Sequence, residues 1–247
     1  MFAIRGVSQF DPARLQATPW TMDGLGGPTQ LVATLESGDG IDLELLSTRP
    51  PVLHDGAGWI DFGPAGASYY YSRTRMTASG TVIVDGGALP VQGIAWFDHQ
   101  WGDYISVGGG GWDWFAINLD DGTDIMLSLV RAADGTFPIV YGTLVEADGR
   151  VRRLERDAFS VRPTGSWTSP RTGATYPAGW LIELPADRIL IELVPTVADQ
   201  ELDTRATTGV IYWEGSQIVR ATRDGAPLGG EAYVELTGYS VAGARPP

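Results

Sequence analysis

The sequence predicts an all-β fold of antiparallel barrels or sandwiches, and three observations indicate it. Short runs rich in β-branched and aromatic residues alternate between apolar and polar positions with a period of two. Asp-Gly pairs separate many of these runs, and both residues tolerate the positive φ angles of tight hairpin turns. No segment of about 12 or more residues carries a convincing helical repeat of apolar residues.

The predicted strands follow one another at hairpin spacing along most of the chain. In order they are Thr29–Glu36, Ile41–Ser47, Ser68–Met76, Thr81–Val84, Leu89–Phe97, Trp112–Leu119, Thr123–Val130, Phe137–Val145, Trp180–Leu184, Ile189–Val194, Thr208–Trp213, Gln217–Ala221 and Ala232–Tyr239. A turn or two of helix is predicted near Asp11–Gln16. Many strands without intervening helices indicate antiparallel pairing.

Composition narrows the possible functions. With 43% apolar and 10% aromatic residues, the 247-residue chain can bury a proper core as one large domain or two small ones. Its net charge of −13 argues against nucleic acid and against an anionic membrane surface, because both need clustered Lys and Arg. No apolar run approaches the roughly 18–20 residues that cross a bilayer. Met1–Phe10 shows no secretion signal, so we expect a cytoplasmic protein.

The available chemical groups are few. The chain has no cysteine, and all 17 basic residues are arginines, so thiolate, disulfide and Schiff-base chemistry are excluded. Catalysis would use carboxylates, hydroxyls, apolar surface and two histidines, His54 and His99. His54 stands in a proline-rich loop and is expected to be exposed. Nothing has metal-ligand spacing, so we expect no metal.

The segment Trp96–Asp103 is the most informative part of the chain. Residues two apart in a strand share a face, so His99 and Trp101 would line one surface while Asp98 faces the other way. The triplet Tyr69–Tyr71 alternates likewise, with its first and third residues on one face. A histidine near its ordinary pKa can donate or accept a proton, although it can also simply tie strands together.

Gly108–Gly111 does not fit a phosphate-binding loop. No lysine follows it, and neither a parallel strand nor a helix flanks it. We expect a flexible loop between barrels, or a lid over a pocket mouth.

An ordered set of motifs is similar to the AttH-like and carotenoid 1,2-hydratase (hydroxyneurosporene synthase) superfamily, whose relatives include kievitone hydratase and lipocalin-like Diels–Alderases. The resemblance covers roughly Ser68–Gly243. Its motifs are Tyr69-Tyr70-Tyr71-Ser72-Arg73, Gly80–Val84, Val91-Gln92-Gly93, Trp96–Asp103, Gly111-Trp112-Asp113-Trp114-Phe115, Asp199-Gln200-Glu201-Leu202, Tyr212-Trp213-Glu214-Gly215 and Tyr233–Tyr239.

The resemblance implies two lipocalin-like antiparallel β-barrels side by side, with a ligand pocket near their interface. Family members carry a further stretch ahead of these motifs, with a Glu-Trp-Trp-Tyr type motif that this sequence lacks. We therefore expect domains at residues 1–97 and 98–247, the first barrel being short or incomplete. An open barrel exposes strand edges, so a homodimer or a partner that completes the barrel is expected.

The resemblance also implies site residues. The His99-x-Trp101 pair matches one that carotenoid hydratases place in their pocket. The family's acid is an aspartate preceded at two residues by tyrosine, which has no clean match here. Candidate catalytic residues are His99, Asp98, Asp113 and Asp103, with Asp113 the preferred acid. Candidate walls for a hydrophobic substrate are Tyr69, Tyr71, Trp96, Trp101, Trp112 and Trp114.

The function expected from these residues is that of a cofactor-free, non-redox enzyme on an isoprenoid, polyene or polyketide. Hydrating an alkene needs an apolar-buried acid and aromatic faces for the resulting cation. Cyclisation or isomerisation needs mainly a pocket that orients the substrate, and the unmatched acid favours it. The alternatives are a non-catalytic lipocalin-type carrier for an apolar ligand and an inactive remnant.

Overall fold

The computed structural model describes residues 9–11, 14–17, 20–24, 27–104, 109–206 and 209–240, and for 9–11, 14–17, 64, 103, 104 and 109 the backbone alone. The described chain is all-β, in two curled antiparallel half-barrel sheets, which confirms the predicted lipocalin-like class. Its helical segments are three short 3-10 turns, His54–Gly56, Gly63–Ala65 and Pro185–Asp187. None of its helices is long and apolar enough to span a membrane.

The first sheet has nine strands, paired in the order β1-β2-β3-β4-β5-β8-β6, with β7 and β9 also pairing with β8. The long strand β8 therefore organises this part of the chain. The strands are β1 (Gln9–Asp11), β2 (Arg14–Ala17), β3 (Trp20–Asp23), β4 (Thr29–Thr34), β5 (Gly40–Ser47), β6 (Val52–Leu53), β7 (Trp59–Asp61), β8 (Gly66–Val84) and β9 (Gly87–Tyr104).

The second sheet contains eleven of the remaining strands, and β15 and β16 form a separate hairpin. The strands are β10 (Gly109–Leu119), β11 (Asp124–Ala132), β12 (Ile139–Val145), β13 (Val151–Leu154), β14 (Ser160–Pro163), β15 (Ser166–Thr168), β16 (Thr175–Pro177), β17 (Trp180–Leu184), β18 (Ile189–Pro195), β19 (Glu201–Asp203), β20 (Ile211–Arg223), β21 (Ala226–Leu228) and β22 (Gly230–Thr237). The order is β13-β12-β11-β10-β22-β20-β18-β17-β14, with β19 and β21 paired to β20.

The described residues form two compact units. The larger unit comprises those within Val52–Tyr71 and His99–Pro247, and the smaller unit those within Phe2–Pro51 and Ser72–Asp98. The predicted domain boundary between residues 97 and 98 stays a prediction.

The larger unit has a dense apolar core on one face of the eleven-stranded sheet. On β10 the side chains of Phe115, Ile117 and Leu119 are fully buried in it, as the period-two alternation predicts. Trp180 and Trp213 also lie within this core, with ring centroids 5.9 Å apart. This face of the sheet is therefore filled by close-packed side chains.

The smaller unit buries much less. Among its described residues, the fully buried apolar side chains are Leu45 on β5 and Met76 on β8. The two lie on paired strands, whose register runs from Gly40 opposite Ile83 to Ser47 opposite Met76. So few buried apolar residues in the described part of this unit fit the expected short or incomplete first barrel.

Two local predictions are wrong. The helix predicted near Asp11–Gln16 is instead the β1–β2 hairpin, in which Asp11 pairs with Arg14, although residues 12 and 13 lie outside the described part. Of the predicted glycine loop, Gly108 is likewise outside the described residues, whereas Gly109 begins β10. The backbone of Leu15 pairs with Phe10 on one side and with Met22 on the other, and this pairing between strands is not visible in local sequence propensity.

Candidate functional site

Five aromatic side chains from three strands form a continuous cluster in the larger unit. Tyr69 and Tyr71 project from β8, and His99 and Trp101 from β9. The His99 and Trp101 rings are 4.4 Å apart, and Tyr69 stacks on Trp101 at 5.3 Å. Tyr71 meets the edges of His99 at 5.4 Å and of Trp101 at 6.1 Å. Trp59 on β7 completes this aromatic cluster, packed edge-on against Tyr69 at 4.8 Å.

The alternation of β8 and β9 explains the cluster. Residues two apart share a face, so Tyr69 joins Tyr71 while Tyr70 is buried on the other side, as predicted. Gly102 permits the close approach of β9 to β8, because a Cβ there would lie 2.4 Å from the carbonyl oxygen of Ala67. The sequence therefore places four of the predicted site residues together.

The cluster is open to solvent on one side. Trp59, Tyr69 and Trp101 are 44%, 48% and 45% exposed, so the row of ring contacts from Trp59 through Tyr69 to Trp101 has a large apolar surface in solvent. His99 and Tyr71 are half-buried. Burial lowers the pKa of His99 below its usual value, so the neutral imidazole is favoured at physiological pH.

Asp98 and Trp96 form a separate arrangement in the smaller unit. The Asp98 carboxylate accepts hydrogen bonds from the Trp96 indole at 2.8 Å and from the Ser72 hydroxyl. Asp98 and His99 are adjacent on β9 and project to opposite faces, as predicted. The structure thus gives the Asp98 carboxylate two hydrogen-bond donors and places the predicted wall residue Trp96 beside it.

Asp113 lies on the core face of β10, next to the fully buried Phe115. Its two carboxylate oxygens each lie 2.9 Å from the Tyr239 hydroxyl, and the Arg131 guanidinium stacks on the Tyr239 ring at 3.7 Å. Burial raises the pKa of Asp113 to about 6, against the opposing effects of the Tyr239 hydrogen bond and the Arg131 charge. Asp113 is therefore a half-neutral acid at mildly acidic pH, enclosed in the barrel core.

Trp112 and Trp114 occupy the opposite face of β10 from Asp113. The Trp112 indole donates to Glu235 at 2.7 Å, and the Trp114 indole donates to the Tyr70 hydroxyl at 3.0 Å. The structure therefore places two of the six predicted wall residues, Trp112 and Trp114, on the face of β10 opposite the preferred acid Asp113.

Glu235 lies directly opposite Glu214 in the β20–β22 register, and both side chains are buried. Burial raises the pKa of Glu214. Glutamates in strands usually pair with arginine or cap turns. Glu201 forms an ion pair with Arg171 at 3.3 Å, whereas Glu235 accepts a hydrogen bond from the Trp112 indole.

His54 is fully buried, so the prediction that it is exposed is wrong. Its Nδ1 makes a 2.9 Å hydrogen bond with the Thr143 hydroxyl, and its ring lies 4.2 Å from that of Tyr70. Burial lowers its pKa to about 3. The loop composition around His54 misled because the tight turn folds back onto β12, and only the tertiary fold shows this.

The remaining predictions are placed as follows. Asp103 lies in β9, and its side chain is outside the described set. Trp59, Tyr239 and Arg131 were not predicted. The alternating run from Trp59 to Phe62 is the signal that could have found Trp59, because it predicts a short strand with the tryptophan on one face. Among the described residues, no group of three His, Asp or Glu side chains could hold a metal ion.

Comparisons with known proteins agree on family and fold. The AttH-like family model matches residues 3–239. A putative AttH from Nitrosomonas europaea, NE1406, is 34% identical with a TM-score of 0.82, over 92% of this chain and 70% of that one. No curated protein sequence matches the chain.

Two more distant structures share the fold. Kievitone hydratase from Nectria haematococca is 21% identical with a TM-score of 0.69, over 85% of this chain and 65% of its own. CghA, solved with Sch210972, is 13% identical with a TM-score of 0.57, over 92% of this chain and 70% of its own. At these identities the likeness concerns architecture alone.

Proposed function

The chain belongs to the AttH-like family, and on that premise we propose that it is a cofactor-free, non-redox enzyme acting on a hydrophobic isoprenoid, polyene or polyketide. The reaction we favour is cyclisation or isomerisation. The observation that carries the proposal is the aromatic cluster, in which a neutral imidazole sits beside exposed aromatic rings. Apolar walls with a few polar groups are the usual make-up of a small-molecule site.

The polar groups of the cluster favour rearrangement over hydration. A neutral imidazole and phenolic hydroxyls can donate or accept hydrogen bonds, and they can polarise a carbonyl or remove an activated proton. Protonating an isolated alkene needs a much stronger acid. Asp98 projects to the face of β9 opposite His99 and accepts from Trp96, whereas Asp113 is buried on β10 against the Tyr239 hydroxyl.

The aromatic rings would act chiefly by orientation. A flexible polyene packed along the exposed surface of Tyr69 and Trp101 loses conformational freedom before it reacts, and this lowers the entropic part of the barrier. The same ring faces would stabilise positive charge that develops along the chain. No redox step or added reagent is needed, since ring closure and double-bond migration only redistribute electrons and protons within one molecule.

Hydration and simple carriage are the alternatives. Hydration is retained because the fold is shared with a protein called kievitone hydratase. A carrier would use the same apolar surface without chemistry. The products separate the three: cyclisation and isomerisation leave the substrate mass unchanged, hydration adds one water, and a carrier returns its ligand intact.

The test is to incubate the protein with a panel of linear polyenes and polyketide trienes and to analyse the products by liquid chromatography and mass spectrometry. We expect products of unchanged mass, formed about 100-fold more slowly by His99→Gln, which retains substrate binding. Gln92→Ala, an exposed change on the same strand, is the matched control. Equal turnover by His99→Gln would refute the role of the imidazole, and ligand binding without any turnover would identify a carrier.

A further inference from the structure

We propose that Trp59 is a ligand-binding residue that sets substrate length, so that the site prefers extended, flat, conjugated ligands over short ones. This inference rests on the proposed function, since it assigns a further residue to the same site. Trp59 belongs to none of the motifs by which the sequence resembles its family.

The position of Trp59 in the aromatic cluster carries the argument. Ring contacts run in series from His99 to Trp101 at 4.4 Å, from Trp101 to Tyr69 at 5.3 Å, and from Tyr69 to Trp59 at 4.8 Å. Trp59 is thus three ring contacts away from the imidazole. A ligand part that reaches Trp59 lies remote from the reacting atoms and contributes binding energy without taking part in the bond changes.

The interplanar angles also suit a flat ligand. Tyr69 and Trp101 are inclined by only 24°, whereas Trp59 stands at 68° to Tyr69. A conjugated chain packed against the exposed side of this stacked pair would therefore reach Trp59 beyond Tyr69. Nearly half of the Trp59 surface remains exposed, which leaves area for such a contact.

The segment that carries Trp59 is anchored firmly enough for this side chain to discriminate between ligands of different length. The segment that carries it is fastened to the core of the larger unit by the buried His54, through the hydrogen bond to Thr143. Asp55 adds an ion pair with Arg153 at 2.7 Å, and Ile60, next to Trp59, is buried. The β7–β8 register places Trp59 directly opposite Tyr69. An aromatic residue on an anchored strand discriminates better than one on a mobile loop.

The test compares two ligands that share one ring and differ in the length of the conjugated chain, retinol and β-ionone. Dissociation constants are measured for the wild type, Trp59→Ala and Trp59→Phe, by retinol fluorescence and by displacement of retinol with β-ionone. Leu53→Ala, an exposed apolar change in the same segment, is the matched control. Thermal unfolding of each variant verifies that the fold is intact.

We expect the wild type to bind retinol more tightly than β-ionone, and Trp59→Ala to weaken retinol about five-fold while leaving β-ionone unchanged. Trp59→Phe should retain most of the preference. If Trp59→Ala weakens both ligands equally or neither, the length-setting role is overturned and the proposed function stands. If the wild type binds neither ligand, both the inference and the apolar site fall.

Discussion

Asp113 is a buried carboxyl whose protonation should affect folding. Its pKa is about 6 in the folded chain, whereas an aspartate in the unfolded chain has the ordinary pKa of 3.8. Between about pH 4 and pH 6 the folded state therefore holds a proton that is released on unfolding. Stability from this group is full below about pH 4 and is lost as the pH rises through 6. The loss is about 3 kcal/mol. Asp113→Asn should abolish this dependence in urea unfolding at pH 4.5 and 7.5, whereas the exposed Asp157→Asn should not.

His54 should act in the opposite direction. Its pKa is lowered from 6.5 to about 3, so the unfolded chain takes up a proton that the folded chain does not. Its contribution is full above pH 6.5 and is lost as the pH falls, by about 2 kcal/mol at pH 5. His54→Asn should remove this loss, and unfolding curves at pH 5 and 7.5 would measure it. An unchanged acid dependence in His54→Asn would contradict the buried, neutral imidazole.

The two effects overlap between pH 4 and 6 and partly cancel. Each variant should therefore reveal the slope of the other group: stability should rise with pH in Asp113→Asn and fall with pH in His54→Asn. A wild type with a steep slope across this range would show that other groups dominate.

At the level of elements, the start of β10 depends on the absence of a side chain. Gly111 has a φ of +87°, and a Cβ there would lie 2.4 Å from the carbonyl oxygen of Thr237 on β22. The adjacent Trp112 amide donates to the Thr237 hydroxyl at 3.0 Å, so the two strands approach each other closely at this point.

Gly111→Ala should thus destabilise the fold by at least about 3 kcal/mol, since β10 and β22 must separate. Gly135 is the matched control, because its φ is +83° and nothing lies within 4 Å of its Cβ position. Gly135→Ala should cost only about 1 kcal/mol, the backbone strain alone. Equal losses by the two variants in thermal unfolding would argue against the close approach.

The β15–β16 hairpin is fastened by one buried carboxylate. Glu201 on β19 accepts hydrogen bonds from the hydroxyls of Ser169 and Thr172, each at 2.6 Å, and from Tyr176 at 2.9 Å. Its side chain is fully buried. These three hydrogen bonds connect the β15–β16 hairpin and its turn to β19.

Glu201→Ala should release the hairpin locally. We expect amide hydrogen exchange of residues 166–177 to accelerate about ten-fold or more, with exchange of β17 and β18 unchanged. The control is Glu192→Ala. Glu192 is an exposed glutamate on β18 that pairs with Arg220 on β20. Uniform acceleration over the whole chain would instead indicate global destabilisation.

At the level of the whole molecule, the period-two alternation of the sequence predicted which neighbouring side chains share a face of a strand. It placed Tyr69 with Tyr71 and His99 with Trp101. The family resemblance joined Asp113 with Trp112 and Trp114 in one predicted site, although the same alternation puts them on opposite faces. The aromatic residues were grouped there by motif, and the structure separates them by strand geometry.

What the sequence missed depends on long-range contacts. His54 is buried by β12, about 90 residues later in the chain, and Trp59 gains its neighbours from β8. The short strands β13 to β16 were not predicted either. They are only three or four residues long and largely polar, so local patterns do not distinguish them from loops. Pairing with the longer strands β12 and β17 accounts for β13 and β14, whereas β15 and β16 pair with each other.

Two pairs of tryptophans lie at the extremes of solvent exposure. The indoles of Trp180 and Trp213, sealed in the core, should emit at short wavelength and resist quenching by acrylamide, whereas those of Trp59 and Trp101 should emit at longer wavelength and be quenched readily. A ligand bound at the aromatic cluster would shield Trp59 and Trp101 and leave the two core indoles unaffected. Its occupancy could therefore be followed in unlabelled protein from the quenchable fraction of the intrinsic tryptophan fluorescence.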